Sequence, residues 1–154
     1  MNLNKRLHVN TIQDIEIKKL ENYGDKRGAL YNISDMDMQF LDKVKNTHFG
    51  RISPGSIRGN HYHHQTKEML IITYSDKWTL AWSGKDSTEI SKREFAGSGA
   101  VLIKINEEMA HSVKNNGDKD LEIIALSNKT FPKENPDTFH KDLLKQSKAL
   151  RISK

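Results

Sequence analysis

With 154 residues, the chain is long enough for one domain with a hydrophobic core of its own. Lys and Arg number 25 against 20 Asp and Glu, a formal charge of +5 that suits an anionic small molecule. No basic surface interleaved with aromatic residues is recognisable, so nucleic acid is not an expected partner. Cysteine is absent, which excludes disulfides and thiolate metal sites. No apolar segment approaches a membrane span or a signal peptide, and we expect a cytoplasmic protein without membrane insertion.

The amino-terminal part, at about residues 10–33, is predicted to be a strand arm. Ile12, Ile15 and Ile17 recur at spacings of three and two residues ahead of the turn YGDKRG, which favours a short strand. Residues 29–33, ALYNI, are predicted as a second strand. Ser34 then offers an N-cap for a helical turn in SDMDMQF, with a loop as the alternative.

Residues from about 45 to 130 are predicted to form a β barrel or sandwich. Short runs rich in β-branched and aromatic residues alternate with turns such as SPGS, SGKDS, AGSG and NNGDKD. Because several short strands at this spacing are typical of an antiparallel sandwich or barrel, we predict an all-β fold. The predicted strands are THFGRI, EMLIITY, KWTLAW, TEISKREF, GAVLIKI, AHSVKN and LEIIALSN.

The carboxyl-terminal part, at about residues 136–150, has a different pattern. Pro136 and Asp137 suit the first turn of a helix, and Phe139, Leu143 and Leu144 follow as apolar residues. We therefore predict a short C-terminal helix that serves as a packing arm or a dimer contact. The arm, the barrel and this tail together are expected to form a single domain over residues 1–154.

Three of the seven histidines lie within four residues, in the run HYHHQTKE ahead of an apolar strand. Residues two apart in a strand share a face, so we expect His61 and His63 to point the same way and His64 to face away from them, either to solvent or to a position behind the site. Glu68 returns to that face if the chain bends before it, and His111 begins another strand. Together His61, His63, Glu68 and His111 would hold one divalent metal such as zinc, nickel or iron, or would equally form a general acid/base cluster.

Two motifs in this region resemble those of the cupin superfamily. Residues 55–68 match the first cupin motif, Gly-x5-His-x-His-x4-Glu, and residues 111–115 match the end of the second, His-x3-Asn. Ser75 stands where the first motif has a following glycine, and NEE replaces the Pro-x-Gly of the second. More narrowly, YGDKRGAL, RGNHYH and ENPDTFHKDL are similar to dTDP-4-dehydrorhamnose 3,5-epimerases, dTDP-4-keto-6-deoxyhexose 3,4-ketoisomerases and the cupin domain of bifunctional capsular-polysaccharide epimerase/reductases.

The resemblance implies a double-stranded β-helix, or jelly roll, that forms a homodimer. It implies that His61 is the catalytic base, that His63 lines the same pocket and that Arg58 contacts the phosphate or the sugar of the substrate. Asp25 and Arg27 lie in a matching Asp-x-Arg-Gly run, whose arginine would meet the diphosphate of a nucleotide-diphosphate sugar. No cofactor is required in this interpretation.

Epimerisation or isomerisation next to a ketone begins with the removal of an α-proton, which suits a histidine base. The enolate must then be stabilised by a metal or by a cation such as Lys67. Trp82 could stack on a nucleobase or pack in the barrel, and Tyr74 and Tyr62 are the tyrosines available as an acid. His61 cannot serve as a metal ligand and as a free base at once.

Three functions therefore compete. The first is a nucleotide-sugar epimerase or ketoisomerase in surface-polysaccharide biosynthesis. The second is a metal-binding cupin enzyme that acts on a small substrate, which the intact set of histidines and glutamate favours. The third is a non-catalytic cupin that binds a sugar or a nucleotide, which the lack of an obvious acid favours.

Overall fold

The computed structural model describes residues 15–146. Their secondary structure is almost entirely β: ten strands form two five-stranded antiparallel sheets, with one short helix and a 3₁₀ turn. No helix in this part of the chain is long and apolar enough to cross a membrane. The elements are β1 Ile15–Lys19, α1 Asp35–Met38, the 3₁₀ turn Gln39–Leu41, β2 Asn46–Ile52, β3 Ile57–Tyr62, β4 Glu68–Tyr74, β5 Trp78–Gly84, β6 Ser91–Phe95, β7 Gly99–Ile105, β8 Met109–Asn115, β9 Leu121–Ser127 and β10 Phe139–His140.

The two sheets have the strand orders β1-β7-β4-β9-β2 and β10-β3-β8-β5-β6. Strands that are distant in sequence, such as β2 and β9 or β3 and β8, are therefore neighbours in space. This pairing of strands across two sheets is that of a jelly roll, which confirms the predicted fold. The seven strands predicted between residues 47 and 128 correspond to β2 and to β4 through β9.

The hydrophobic core lies between the two sheets and changes character along the barrel. At one end Trp78 stacks on Phe95, with ring centroids 4.0 Å apart, and Leu80 and Ile72 are fully buried beside them. Along β4 the inner-facing positions run from Ile72 and Leu70 to Glu68 at the other end, so that apolar side chains give way to polar ones. One end of the barrel is thus packed, and the other is built for polar chemistry.

A second apolar layer covers the outer face of the β1-containing sheet. Leu41, which follows α1, is 1% exposed and packs against Leu102 and Met69. The N-cap of α1 is Ser34, whose Oγ accepts a hydrogen bond from the backbone N–H of Asp37 at 3.1 Å, as the sequence predicts. The helix therefore closes the sheet and delivers one acidic side chain to it.

That acidic side chain forms a buried ion cluster under α1. Asp37 is 4% exposed, and its carboxylate lies 2.8 Å from Lys18 Nζ and 3.1 Å from Lys104 Nζ. Burial alone would raise the pKa of Asp37, but the two lysines and the Ser34 hydroxyl outweigh it and hold this pKa below its ordinary value.

Two predicted elements differ in the structure. Residues 29–33 form no strand, because the Leu30 backbone instead bonds locally to Tyr23 and to the side chain of Asn22. Residues 136–146 form no helix: β10 pairs with β3, and the backbone N–H groups of Leu143 and Leu144 bond to a side chain of β3 and not to carbonyls one turn earlier. The remaining predicted helical residues 147–150 and strand residues 10–14 lie outside the described residues.

We expect the Asp37 cluster to make stability depend on acid. Because the folded-state pKa is depressed, the cluster stabilises the protein above the pKa of an unfolded aspartate, about 3.9, and this stability is lost as the pH falls below that value. Asp37→Asn should cost about 1.5–3 kcal/mol at neutral pH and flatten the acid dependence, measured by urea unfolding at several pH values. Asp35→Asn, at an exposed position of the same helix, is the matched control, and an unchanged acid slope in Asp37→Asn would contradict the assignment.

Candidate functional site

The polar end of the barrel opens into a cavity of about 480 Å³ between the two sheets. This volume is within the range of about 300–1,000 Å³ that is common for small-molecule sites. All four predicted ligands and Arg58 line it, together with residues of β2 and of the segment after β9.

A β-bulge in β3 brings Arg58 and His61 to the same inner face. His61 lies opposite His111, and Arg58 lies opposite the residue two positions further along β8, although Arg58 and His61 are three positions apart on β3. Gly59 and Asn60 take up the additional residue with left-handed φ angles of 101° and 55°. A Cβ atom at position 59 would lie 2.6 Å from the carbonyl oxygen of His111, so this close approach requires glycine.

Three imidazoles and one carboxylate converge in the cavity. His61, His63, Glu68 and His111 each present one ligand atom, and these atoms all lie within 4.8 Å of one another. Glu68 Oε2 is 3.2 Å from His63 Nε2 and 3.0 Å from His111 Nε2. The ring centroid of His61 is 4.7 Å from that of His111 and 5.0 Å from that of His63. The chain therefore does bend before Glu68 and returns it to the histidine face.

The opposite ring nitrogens of two histidines face backbone carbonyls. His63 Nδ1 contacts the carbonyl oxygen of Asp137, and His111 Nδ1 lies 3.3 Å from that of Met109. Since a carbonyl only accepts, each Nδ1 carries the hydrogen, and the Nε2 of a neutral ring presents its lone pair toward Glu68. His63 Nε2 and Glu68 Oε2 are buried and have no partner in hydrogen-bond geometry among the described residues. Converging lone pairs around a carboxylate fit a bound cation, as in histidine metal sites whose second nitrogen bonds a carbonyl.

The electrostatics of the cluster separate His61 from its neighbours. Burial and the nearby His111 lower the pKa of His61 to about 4, so this ring is neutral at physiological pH. Burial also opposes charge on His63, but the Glu68 carboxylate outweighs it and raises the pKa of His63. Burial would raise the pKa of Glu68, yet contact with His111 and His63 holds it well below its usual range. A proton on the cluster therefore stays beside Glu68 and leaves the one basic ring nitrogen of neutral His61 free.

The outer part of the cavity contains residues that the sequence analysis did not select. Asn46, His48 and Gly50 of β2 line it with Lys129 and Phe131, and the rings of His48 and Phe131 meet edge to face at 5.5 Å. These three alternate residues of β2 are polar or lack a side chain, whereas Ile52, the next residue of the same alternation, is buried in the apolar core. That pattern was the available signal for a cavity wall.

Three charged residues predicted as substrate contacts lie outside the cavity. Asp25 and Arg27 pair with each other in an exposed turn, with Arg27 Nη2 2.6 Å from Asp25 Oδ2. Lys67 Nζ stands over the ring of Phe40, 5.3 Å from its centroid, where the outer apolar layer lies.

The aromatic candidates are also elsewhere. Tyr74 packs against Trp78 and Phe95 at the closed end of the barrel, and Trp82 packs against the main core. Tyr62 stacks on the phenyl ring of β10. Neither the two predicted aromatic contacts, Trp82 and Tyr74, nor Tyr62, the other candidate acid, is among the residues that line the cavity in the described part of the chain.

Asn115, the last residue of the second cupin-like motif, has a structural role. Its side chain donates to the carbonyl oxygens of Ile52 and Lys119 at 2.7 Å each, and its Oδ1 accepts from the N–H of Gly117 at 2.9 Å. It is 1% exposed and fully satisfied. The motif therefore combines one site residue, His111, with one residue that fixes the following turn.

Comparison with known proteins gives relatives in sugar-nucleotide metabolism. The chain is 26% identical over 113 residues to a UDP-2-acetamido-2,6-beta-L-arabino-hexul-4-ose reductase of Pseudomonas aeruginosa, covering 69% of this chain and 30% of the reductase. The chain thus spans less than a third of that relative's length.

Two solved structures share the fold. QdtA, a sugar 3,4-ketoisomerase from Thermoanaerobacterium thermosaccharolyticum solved with TDP, is 17% identical with a TM-score of 0.63, covering 83% of this chain and 88% of QdtA. The epimerase RmlC from Legionella pneumophila, solved with dTDP-4-keto-L-rhamnose, is 18% identical with a TM-score of 0.67, covering 84% of this chain and 73% of RmlC. At these identities the likeness establishes the jelly-roll fold.

A family model covers most of the chain, from the exposed turn of Asp25 to β10. The model is described as the polysaccharide biosynthesis C-terminal domain, and it matches residues 23–139. These residues contain the four converging side chains, the bulge in β3 and the whole cavity wall. The chain is therefore a member of the polysaccharide biosynthesis C-terminal domain family.

Proposed function

We propose that this chain epimerises or isomerises a ketone-bearing, nucleotide-diphosphate-linked sugar for surface polysaccharide biosynthesis. The observation that carries the proposal is a half-buried, neutral His61 beside two buried imidazoles in a cavity that Arg58 also lines. Membership of the polysaccharide biosynthesis family supports the biological role, and the fold shared with a sugar ketoisomerase and a sugar epimerase supports the class of reaction.

The charge of the cavity supports an anionic substrate. Arg58 and Lys129 line the cavity, and neither side chain forms an ion pair within the described residues. A guanidinium matches phosphate oxygens in geometry as well as in charge, so Arg58 suits the diphosphate. The rings of His48 and Phe131 offer aromatic surface for a nucleobase in the outer part of the cavity.

The reaction needs one base and one mobile proton. His61 takes the proton from the carbon next to the ketone, and the electron pair moves to the ketone oxygen to give an enolate. Return of a proton to the same carbon from the opposite face inverts that centre. Alternatively, the proton is returned to the former carbonyl carbon, and the hydroxyl proton of the carbon first deprotonated moves to the former ketone oxygen, so that the ketone is displaced by one position. Arg58 and Lys129 are the cations that line the cavity, so the one that does not bind the diphosphate is available to stabilise the developing negative charge.

A divalent metal at the same cluster is the second candidate, in an enzyme of the metal-binding cupin type. It is favoured by His63 Nε2 and Glu68 Oε2, which are buried 3.2 Å apart without hydrogen-bond geometry, and by the two further imidazoles beside them. His61, His63, Glu68 and His111 would hold the metal, which would supply polarisation of a substrate oxygen. His61 would then be a ligand, and proton transfer would fall to another group.

Several roles remain predictions. Asp25, Arg27, Lys67, Trp82 and Tyr74 are predicted substrate contacts, and none of them lines the cavity of the single described chain. The homodimer that the cupin resemblance implies is also a prediction, and sedimentation of the purified protein would measure it.

The base role of His61 predicts exchange of a substrate proton with solvent. Incubation with a TDP- or UDP-linked 4-keto-6-deoxyhexose in deuterated water should place deuterium next to the ketone, measured by mass spectrometry. His61→Asn should slow this exchange by about 10²- to 10⁴-fold, because it removes the base. His140→Asn, at a histidine whose side chain is 73% exposed, should leave the rate unchanged. Equal exchange rates in both variants would sink the assignment.

Arg58 should contribute to nucleotide affinity. Arg58→Ala is expected to weaken the binding of UDP or TDP by about ten- to a hundredfold, since hydrogen bonds to charged groups contribute about 1.5–3 kcal/mol. Calorimetric titration measures the change. Arg51→Ala is the matched control, because Arg51 pairs with Glu122 on an exposed surface. Equal affinities for the two variants would show that the diphosphate lies elsewhere.

The metal candidate predicts stoichiometric metal in the purified protein. Elemental analysis should find about one zinc, nickel or iron per chain, and chelation should lower the melting temperature because the metal binds only the folded state. His111→Ala should abolish metal retention, whereas His48→Ala, outside the cluster, should preserve it. Metal-free protein with full proton exchange would instead leave His61 as the free base.

A further inference from the structure

The structure assigns Asp137 a positioning role: we infer that residues 137–144, here named the strap, hold His63 in the tautomer that presents Nε2 to Glu68. The strap lies outside both cupin-like motifs and runs along the edge of β3. The inference rests on the proposed function only for the use that His63 serves. The contact between the His63 ring and the Asp137 carbonyl can be tested without substrate.

The two histidines that contact Glu68 are oriented by different means. His111 Nδ1 faces the carbonyl of Met109, two residues earlier on its own strand, so its orientation is local to β8. His63 lies just past the end of β3, and its Nδ1 faces the carbonyl of Asp137, 74 residues later in the chain. The orientation of His63 therefore depends on a segment that must be held in place.

The side chain of Asp137 fixes its own carbonyl at that position. Its carboxylate accepts three hydrogen bonds: from the N–H of His64 at 2.9 Å, the N–H of Gln65 at 2.8 Å and the hydroxyl of Thr66 at 2.8 Å. All three donors belong to the turn directly after His63. Asp137 thus holds the turn through its side chain and the His63 ring through its backbone carbonyl.

The far end of the strap is anchored at the bulge. The Asn60 Oδ1 accepts from the N–H of Leu143 at 3.0 Å and of Leu144 at 3.1 Å, and its Nδ2 donates to the carbonyl of Leu144 at 2.9 Å. The N–H of Lys141 bonds to the Asn60 carbonyl at 2.8 Å. Asn60 is also the left-handed residue that turns His61 inward. The same segment therefore connects the orientation of His61 with that of His63.

Loss of the hydrogen bonds of the Asp137 carboxylate should alter the tautomer of His63 without unfolding the protein. The His63 ring would lose the carbonyl that selects its Nδ1–H form, and either nitrogen could then face Glu68. Partners of this kind typically contribute 10- to 100-fold to metal affinity or activity. The rest of the strap would keep β10 and the buried Leu143 and Leu144 in place.

The test is the tautomer of His63 by nitrogen-15 NMR of the imidazoles in metal-free protein, at a pH where the ring is neutral. Wild type should show the Nδ1–H form, and Asp137→Ala should show a mixture. Asp137→Asn, which keeps an acceptor for the turn, should restore most of the wild-type signal. Asp142→Ala is the matched control, since Asp142 lies in the strap but pairs only with the exposed His140 among the described residues. If Asp137→Ala does not fold, Thr66→Val takes its place in the experiment, because it removes one of the three hydrogen bonds to the Asp137 carboxylate.

Zinc titration provides the second measurement. Asp137→Ala should lower zinc affinity by about 10- to 100-fold relative to Asp142→Ala. An unchanged Nδ1–H form in Asp137→Ala, or in Thr66→Val, would overturn the inference even if the wild type turns over sugar nucleotides. An altered tautomer in a protein that shows no turnover would support the inference and count against the proposed function alone.

Discussion

The structure depends on placing the Glu68 carboxylate and the lone pairs of two imidazoles together away from water. Such a group is unfavourable unless a proton or a cation lies among them, and unless each ring is fixed by a bond to its other nitrogen. The contacts of His63 with Asp137 and of His111 with Met109 provide that fixation. Elements that look peripheral in the sequence therefore serve the polar end of the barrel.

In the jelly roll, the apolar residues that stabilise the fold lie apart from this unfavourable polar cluster. The stacked Trp78 and Phe95 and the buried aliphatic residues of β4, β5 and β7 fill one end of the barrel. A second apolar layer under α1 closes the outer face of the β1-containing sheet, with the Asp37 ion cluster at its margin. With two apolar regions elsewhere, the barrel can hold a poorly packed, polar end.

Much of the fold and part of the site were predictable because their signals are local. Runs of β-branched and aromatic residues between turn residues predicted the strands β2 and β4 to β9, and the spacing of the cupin-like motifs selected the four side chains that converge. The helix predicted for residues 136–146 was wrong because the apolar pair Leu143 and Leu144 is compatible with a helix in sequence, whereas in the structure the Asn60 side chain accepts from their N–H groups. The bulge at Gly59 depends on the register with β8, which residue spacing alone does not reveal.

The same geometry explains why a free base and a metal ligand are hard to distinguish for His61. A general base needs a neutral imidazole with an exposed lone pair, held rigidly in a cavity, and a metal ligand needs the same. His61 has its pKa lowered to about 4 by burial and by His111, which satisfies both requirements. What separates the two uses is the charge beside Glu68: a proton held there leaves His61 free, whereas a divalent cation would take His61 as its third nitrogen ligand. The occupant of the space beside Glu68 therefore decides the chemistry, while the strap and the bulge prepare the same arrangement for either.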